Sequence, residues 1–316
     1  MYIDQRTYFT LASKINVFTS TRLKNMQFSQ KPRSLYSPVR GKGSALHCLL
    51  FEKDHFNDYF SVVDSLDEKV FNELASGKKF AAIDCQYGKT SKTFENLKQS
   101  FIRTNNLNED DYVFILRSEY DEVAKAKAII DSNKTPITKD DMASVTKSYD
   151  VVKKSKDAGF YLNDPNAMFE QTFLCDLDGH PITLEDAVMD NETPMLMIKP
   201  DVLVLSESQA KYMDLKRTDN PSIQVFSSTI TRMGYPFQNA MYVHVLTKIF
   251  GIENPDIDVP AGGYIAVNDN ECWVYDSLSH YRFNNAADEL KVAIKNMRRA
   301  LATGGIAKPK RRYEFI

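Results

Sequence analysis

Lys199-Pro200-Asp201 is followed, thirteen residues later, by Asp214-Leu215-Lys216. A strand-like run, Met195-Leu196-Met197-Ile198, leads into the first fragment, and Tyr212-Met213 leads into the second. Successive side chains of a strand point to opposite faces, so Asp214 and Lys216 share a face while Leu215 turns away. If the two strands pair, Asp201 reaches that same face, and two carboxylates and an ammonium meet at one point on a sheet. Two acidic oxygens suit a hard divalent cation such as Mg²⁺, which keeps several waters and is held by one or two carboxylates. A lysine beside such a cation orients or helps deprotonate an attacking water, or offsets charge building on a phosphate. That is the chemistry of metal-dependent phosphodiester cleavage. The same fragments would also serve as turn residues and a solvated strand edge, so the flanking sequence has to decide.

Upstream, Gly43-Ser44-Ala45-Leu46-His47-Cys48-Leu49-Leu50-Phe51-Glu52 is an apolar, helical segment with one histidine inside it, either a core residue or a ligand. Downstream, Gly234-Tyr235-Pro236-Phe237-Gln238 opens a second helix: Pro236 fits its first turn and Gly251 its end. Tyr235, Gln238 and Tyr242 stand at i, i+3 and i+7 and form one stripe, usually a core feature, here with a glutamine in its middle.

These pieces, in this order, resemble the RecE-type (exonuclease VIII) branch of the PD-(D/E)xK nuclease superfamily, whose larger relatives are lambda-type exonuclease and the RecB nuclease domain. Ser20-Thr21-Arg22-Leu23-Lys24 is similar to the family's opening helix, and Gly43-Ser44-Ala45-Leu46-His47 to its histidine-bearing helix. Phe169-Glu170-Gln171-Thr172-Phe173, Lys199-Pro200-Asp201, Met213-Asp214-Leu215-Lys216-Arg217-Thr218 and Tyr235-Pro236-Phe237-Gln238 continue the likeness, which covers residues 10–60 and 160–280.

The resemblance implies a restriction-endonuclease-like α/β core, a mixed central sheet flanked by helices with a helical elaboration. It implies a Mg²⁺-dependent deoxyribonuclease, with Mn²⁺ as a substitute: an exonuclease on linear double-stranded DNA, acting 5′-to-3′ in phage-type recombination or repair and feeding a single-strand annealing protein. An endonuclease on the same core and an inactive nuclease fold that binds DNA are the alternatives. Asp201 and Asp214 would be metal-binding carboxylates, with the Leu215 carbonyl and His47 as further ligands. Lys216 would be the catalytic lysine, and Glu170 a helix or strand acid approaching the metal, often through water. Tyr235 and Gln238 would line the site and touch the DNA backbone or the lysine. Relatives of this kind close trimeric or tetrameric rings around DNA, so a homo-oligomer is expected. Asp214 stands where glutamate is commoner, and the thirty residues between Glu170 and Asp201, including Asp176-Leu177-Asp178-Gly179-His180 and the acidic stretch 185–192, read as an insertion.

The rest of the chain bounds these expectations. At 316 residues, 43% hydrophobic and 26% charged, it has the composition of a soluble globular protein of one large or two modest domains. No apolar run approaches the roughly 18–20 residues of a membrane span, and the N-terminus carries no signal core, so a cytoplasmic location is expected, the bacterial host's if the protein is phage-encoded. Four scattered cysteines, at 48, 85, 175 and 272, give neither a CxxC zinc pattern nor the C-terminal triplet of iron–sulfur nucleases; no such cluster is expected. Gly88-Lys89-Thr90 lacks the preceding glycine of a phosphate-binding loop, which argues against an ATP motor.

Net charge is −2, but after Glu289 the chain holds Lys291, Lys295, Arg298, Arg299, Lys308, Lys310, Arg311 and Arg312 against Glu314 alone. The first four lie along one helix and are either a solvated face or, with Arg217, a phosphate-tracking strip on DNA. Four segments are expected: a helical N-terminal part of the core at 1–60, a mostly helical elaboration at 61–160, core sheet and helix at 161–290, and a basic helix and tail at 291–316. Helices are expected around 70–76, 92–103 and 141–157, with loops at 30–34 and 38–43. Strands are expected at 111–116, 171–175, 195–198, 202–205, 211–216, 263–267 and 272–275, the last two flanking a turn at Asn268-Asp269-Asn270-Glu271.

Overall fold

The structure, a computed structural model, describes residues 5–14, 16–27, 38–65, 67–276 and 280–303. The chain is mixed α/β and divides into two compact units, one built from the described residues of Met1–Lys31 and Thr146–Arg311, the other from Pro32–Val145. The histidine-bearing segment 43–52, expected in the N-terminal part of the core, falls in the second. No helix among the described residues is long and apolar enough to cross a membrane.

The chain opens with α1 (Gln5–Ala12), the short strand β1 (Val17–Phe18) and α2 (Ser20–Gln27). The second unit then runs α3 (Pro38–Phe51), α4 (Phe56–Tyr59), β2 (Phe60–Val63), α5 (Glu68–Ala75), β3 (Lys79–Ile83), α6 (Lys92–Asn105), β4 (Tyr112–Leu116), α7 (Tyr120–Asp131) and β5 (Thr135–Thr138). Residues 38–43, expected as a loop, are the first half of α3. Pro38 suits a first helical turn, and the fully buried Ala45, Leu46 and Cys48 supply packing that offsets the cost of glycine in a helix, about 1 kcal/mol each. The loop expected at 30–34 lies outside the described residues. Helices α5 and α6 begin where Asp67 and Ser91 accept from the Val70 and Phe94 N–H groups, each at 3.1 Å. The segment is more than helical: β2 pairs with β5 and β3 with β4, both in parallel. Parallel pairing needs a crossover, which α6 supplies between β3 and β4. Phe71, Leu74, Val113, Ile115, Val123, Ala126 and Ile130 form this unit's own core.

Helix α8 (Lys139–Lys154) runs across the division at Val145, and α9 (Lys156–Leu162) follows. The single helix expected over 141–157 is split because the Ser155 hydroxyl caps α9, accepting from the Ala158 N–H at 3.2 Å. Then come β6 (Ala167–Phe169), β7 (Phe173–Asp176), α10 (Leu184–Met189), β8 (Met195–Ile198), β9 (Val202–Leu205), β10 (Ala210–Arg217), α11 (Ile223–Met233), α12 (Tyr235–Glu253), β11 (Gly263–Val267), β12 (Cys272–Tyr275) and α13 (His280–Ala302). Two sheets result, one ordered β12-β11-β10-β9-β6 and one ordered β1-β8-β7. β10 is central to the larger sheet, antiparallel to β9 and parallel to β11. The turn expected at 268–271 closes the β11–β12 hairpin, the Asn268 N–H donating to the Glu271 carbonyl at 3.0 Å.

Helix α12 supplies the core that carries the sheets. Phe237, Ala240, Met241, Val245 and Leu246 are buried in one cluster with Leu196, Ile198, Leu203 and Tyr212. Helix α13 adds Ala286, Leu290, Ala293 and Met297 to that cluster. Their i, i+4, i+7, i+11 spacing is an apolar helix stripe, and burying a Leu or Met side chain contributes about 1.5–3 kcal/mol. Gly251 lies within the last turn of α12 rather than at its end.

Candidate active site

The site is built on β10. Its alternation places Tyr212, Asp214 and Lys216 on one face and Met213, Leu215 and Arg217 on the other. Met213 pairs with Val202, so Asp201, the residue before β9, comes beside Asp214. The Asp201 Oδ2 accepts from the Leu215 N–H at 2.5 Å, and the Lys216 Nζ forms an ion pair with the Asp214 Oδ2. Asp201 and Asp214 are buried, at 6% and 4% exposure. Carboxylates so placed cost desolvation energy unless ion pairs, hydrogen bonds or a bound cation satisfy them.

Glu170 joins them from a direction the sequence did not predict. It lies on neither a helix nor a strand but on the bend after β6, with φ +52, a left-handed conformation that costs a non-glycine residue about 1–3 kcal/mol. Its N–H donates to the Asp201 carbonyl at 3.1 Å, locking the bend to the start of β9. Its carboxylate pairs with Lys199 Nζ at 2.6 Å, where both side chains are more than nine-tenths buried. Glu170 and Asp201 each present an oxygen within 4.8 Å of the other. Oxygen ligands sit about 2.0–2.6 Å from Mg²⁺ or Ca²⁺, so this spacing fits two oxygens sharing one cation. The acidic oxygens therefore suit a hard divalent metal.

The lysine is held from above by an aromatic face. Lys216 Nζ lies 4.7 Å from the centroid of the Tyr235 ring, which leans on Tyr264 at 5.8 Å. Tyr235 reaches this place because Gly234, at φ +71, ends α11 and starts α12 in a single residue. Burial alone would lower the Lys216 ammonium, but Asp214 and then Asp201 outweigh it and hold the group above the ordinary lysine value. In the metal-free site Lys216 is therefore held as a cation. Burial, with Asp214 next, likewise holds the Tyr264 hydroxyl above its usual range.

A buried polar network underlies the site. Tyr212 donates to the Asn239 Oδ1 at 2.7 Å, and Asn239 donates to the Gly262 carbonyl at 2.8 Å, tying β10, α12 and the approach to β11 together. Gln238, expected at the lysine or DNA, instead donates to Tyr242 Oη at 2.8 Å, and that hydroxyl donates to the Lys199 carbonyl at 2.9 Å. The stripe of Tyr235, Gln238 and Tyr242 thus braces the site rather than lining it throughout.

Arg217 pairs with Asp269 of the β11–β12 turn at 2.6 Å, its side chain 9% exposed. On α13, Lys291, Lys295, Arg298 and Arg299 are all exposed. Lys291 pairs with Asp288 at 3.0 Å, and Arg298 with Asp178 at 2.7 Å. Lys308, Lys310, Arg311 and Arg312 lie outside the described residues. His47 stands half-buried on α3 in the second unit, edge-on to Phe51 with ring centroids 5.9 Å apart. Cys48 and Cys175 are buried, Cys85 and Cys272 partly exposed, and all four are free thiols. The sequence reading assigned no part to Lys199, Tyr264 or Asn239. A lysine directly after a fully buried strand was the one available signal for Lys199.

No protein-family model and no curated protein matches the chain. Among solved structures, a protein of Eubacterium rectale described as a "Putative exonuclease" is similar at 13% identity, covering 97% of this chain and 89% of that one with a TM-score of 0.38. A likeness at that level defines neither a family nor an activity.

Proposed function

We propose that this protein is a metal-dependent deoxyribonuclease of the PD-(D/E)xK type, RecE-like, that degrades linear double-stranded DNA from its ends. The observation that carries this reading is the convergence of the Asp201, Asp214 and Lys216 side chains at the start of β9 and the middle of β10, with Glu170 beside Asp201. Glu170, Asp201, Asp214 and the Leu215 carbonyl would hold Mg²⁺ or Mn²⁺, with His47 as a further ligand on this reading. When bound, such a cation would supply an acidified water and a Lewis acid for a phosphoryl oxygen. Asp214 holds Lys216 in place, and Lys216 presents a permanent positive charge to the scissile phosphate. Tyr235 keeps that ammonium from swinging toward solvent.

Polarity 5′-to-3′, a role in phage-type recombination or repair, a cytoplasmic location and an annealing partner belong to the same reading. The test of exonuclease action is linear against covalently closed circular duplex with Mg²⁺. Loss of the linear form with the circle intact is expected; nicking of the circle would make the protein an endonuclease, and inertness toward both would make it a binding module.

As a ligand, His47 adds a nitrogen to an oxygen-rich site, which favours Mn²⁺ more than an all-oxygen site would. His47→Ala is then expected to raise the metal concentration needed for cleavage about 10–100-fold, with excess Mn²⁺ restoring part of the rate. A lowered melting temperature with unchanged metal dependence would make it a core histidine.

Holding a polyanion through many turnovers at a net charge of −2 asks for more phosphate contacts than one subunit offers. A trimeric or tetrameric ring multiplies each contact by symmetry, and Lys291, Lys295, Arg298 and Arg299 are the proposed channel groups. Reversing these four charges is expected to flatten the salt dependence of DNA binding by several units of slope. An unchanged slope would remove α13 from the DNA path, and a monomer by light scattering would remove the ring.

A further inference from the structure

The proposed site contains two lysines, and only Lys216 has a part in the proposed chemistry. Lys199 directly follows β8, a strand buried along its whole length. Its ammonium is turned inward, 2.6 Å from the Glu170 Oε2 and 5.5 Å from the centroid of the Tyr8 ring. Its carbonyl is pinned by Tyr242, and Pro200, with its fixed φ, sets the step from Lys199 to Asp201. Glu170 is fixed just as firmly, through its N–H to the Asp201 carbonyl and its left-handed backbone. The ammonium and the proposed metal therefore address the same carboxylate.

We infer that Lys199 is a built-in countercharge for Glu170 that stabilises the metal-free site and thereby sets its affinity for the divalent cation. The inference rests on the metal-site reading above and extends it. Asp201, Asp214 and Glu170 bring three negative charges, and Lys199 and Lys216 return two. A buried carboxylate without its partner is costly, so the lysine keeps the empty site folded. The same positive charge repels an incoming cation through a medium that screens poorly. Removing it has opposite effects on the two states: the metal-free protein loses stability, and the cation binds more tightly. A lysine that merely filled space would lower stability equally with and without metal.

The test is calorimetric titration of the full-length protein with Mn²⁺, together with melting temperatures with and without saturating Mn²⁺, for the parent, Lys199→Met and Lys199→Arg. Lys199→Met is expected to bind Mn²⁺ at least about tenfold more tightly, a difference of ~1.4 kcal/mol. It is expected to melt lower than the parent without metal and to regain most of that loss at saturation. Lys199→Arg keeps the charge and is expected to follow the parent in both measurements. If Lys199→Met does not fold, Glu170→Gln is compared with the Glu170→Gln/Lys199→Met double variant, in which the ammonium alone is removed beside a neutral side chain. Tighter Mn²⁺ binding in the double variant supports the inference. Equal or weaker binding in the methionine variants overturns it while leaving the metal site standing. A parent that binds no Mn²⁺ overturns the metal site and this inference together.

Discussion

Asp214→Asn is expected to reduce Mg²⁺-supported DNA hydrolysis at least about a thousandfold while the protein stays folded, because a metal ligand supplies several kcal/mol of transition-state stabilisation. Asparagine is the informative replacement. Asp214 pairs with Lys216, and a buried ammonium stripped of its partner destabilises the fold by up to about 3–5 kcal/mol, somewhat less here because Lys216 keeps 18% exposure. Lys216, Lys199 and the Leu215 N–H already compensate the carboxylates, so alanine at 214 would leave a buried charge without its partner. Asp201→Asn is expected to act in the same way on activity, since its amide oxygen still accepts from the Leu215 N–H. Circular dichroism and melting curves separate loss of chemistry from loss of fold. Full activity in Asp214→Asn would sink the assignment.

Lys216→Met is expected to lower turnover by about 10²–10³-fold, the range for removing one preorganised electrostatic group, while Mn²⁺ binding persists or tightens. The direction of the Lys216 shift matters here. With its ammonium held above the ordinary lysine value by Asp214 and Asp201 against the effect of burial, the group remains charged across neutral pH. Turnover is then not expected to rise with pH through deprotonation of this lysine. A variant that loses Mn²⁺ binding along with turnover would show that Lys216 organises the carboxylates rather than acting on the phosphate.

Much of the larger unit was legible in the sequence because its strands are short, apolar and bounded by turn residues. The expected limits of β8, β9, β11 and β12 coincide with those observed, and β10 extends its expected span by a residue at each end. Alternation in 212–216 correctly put Asp214 and Lys216 on one face. The second unit was harder. β5 contains Pro136, a residue that argues against a strand, and β2 and β3 are too short and mixed in character to show a period of two. The parallel pairs they form join residues far apart in the chain, which no local pattern encodes. Glu170 was named as an acid of the site, yet its element was misread, because a left-handed backbone at glutamate has no sequence signature. The resemblance put Gln238 at the DNA or the lysine and Arg217 was grouped with the DNA contacts; the partners they have here, Tyr242 and Asp269, are fixed by tertiary structure.

The proposed function requires Glu170, Asp201 and Asp214 to hold a divalent cation during DNA cleavage. Its most direct test is release of acid-soluble nucleotides from uniformly labelled linear duplex by the full-length protein, with Mg²⁺, with EDTA, and with Mg²⁺ added back after EDTA. Nucleotide release that stops with EDTA, returns with Mg²⁺ and is absent from Asp214→Asn is the predicted result. Release that persists in EDTA, or that Asp214→Asn sustains at the parent rate, would contradict the account.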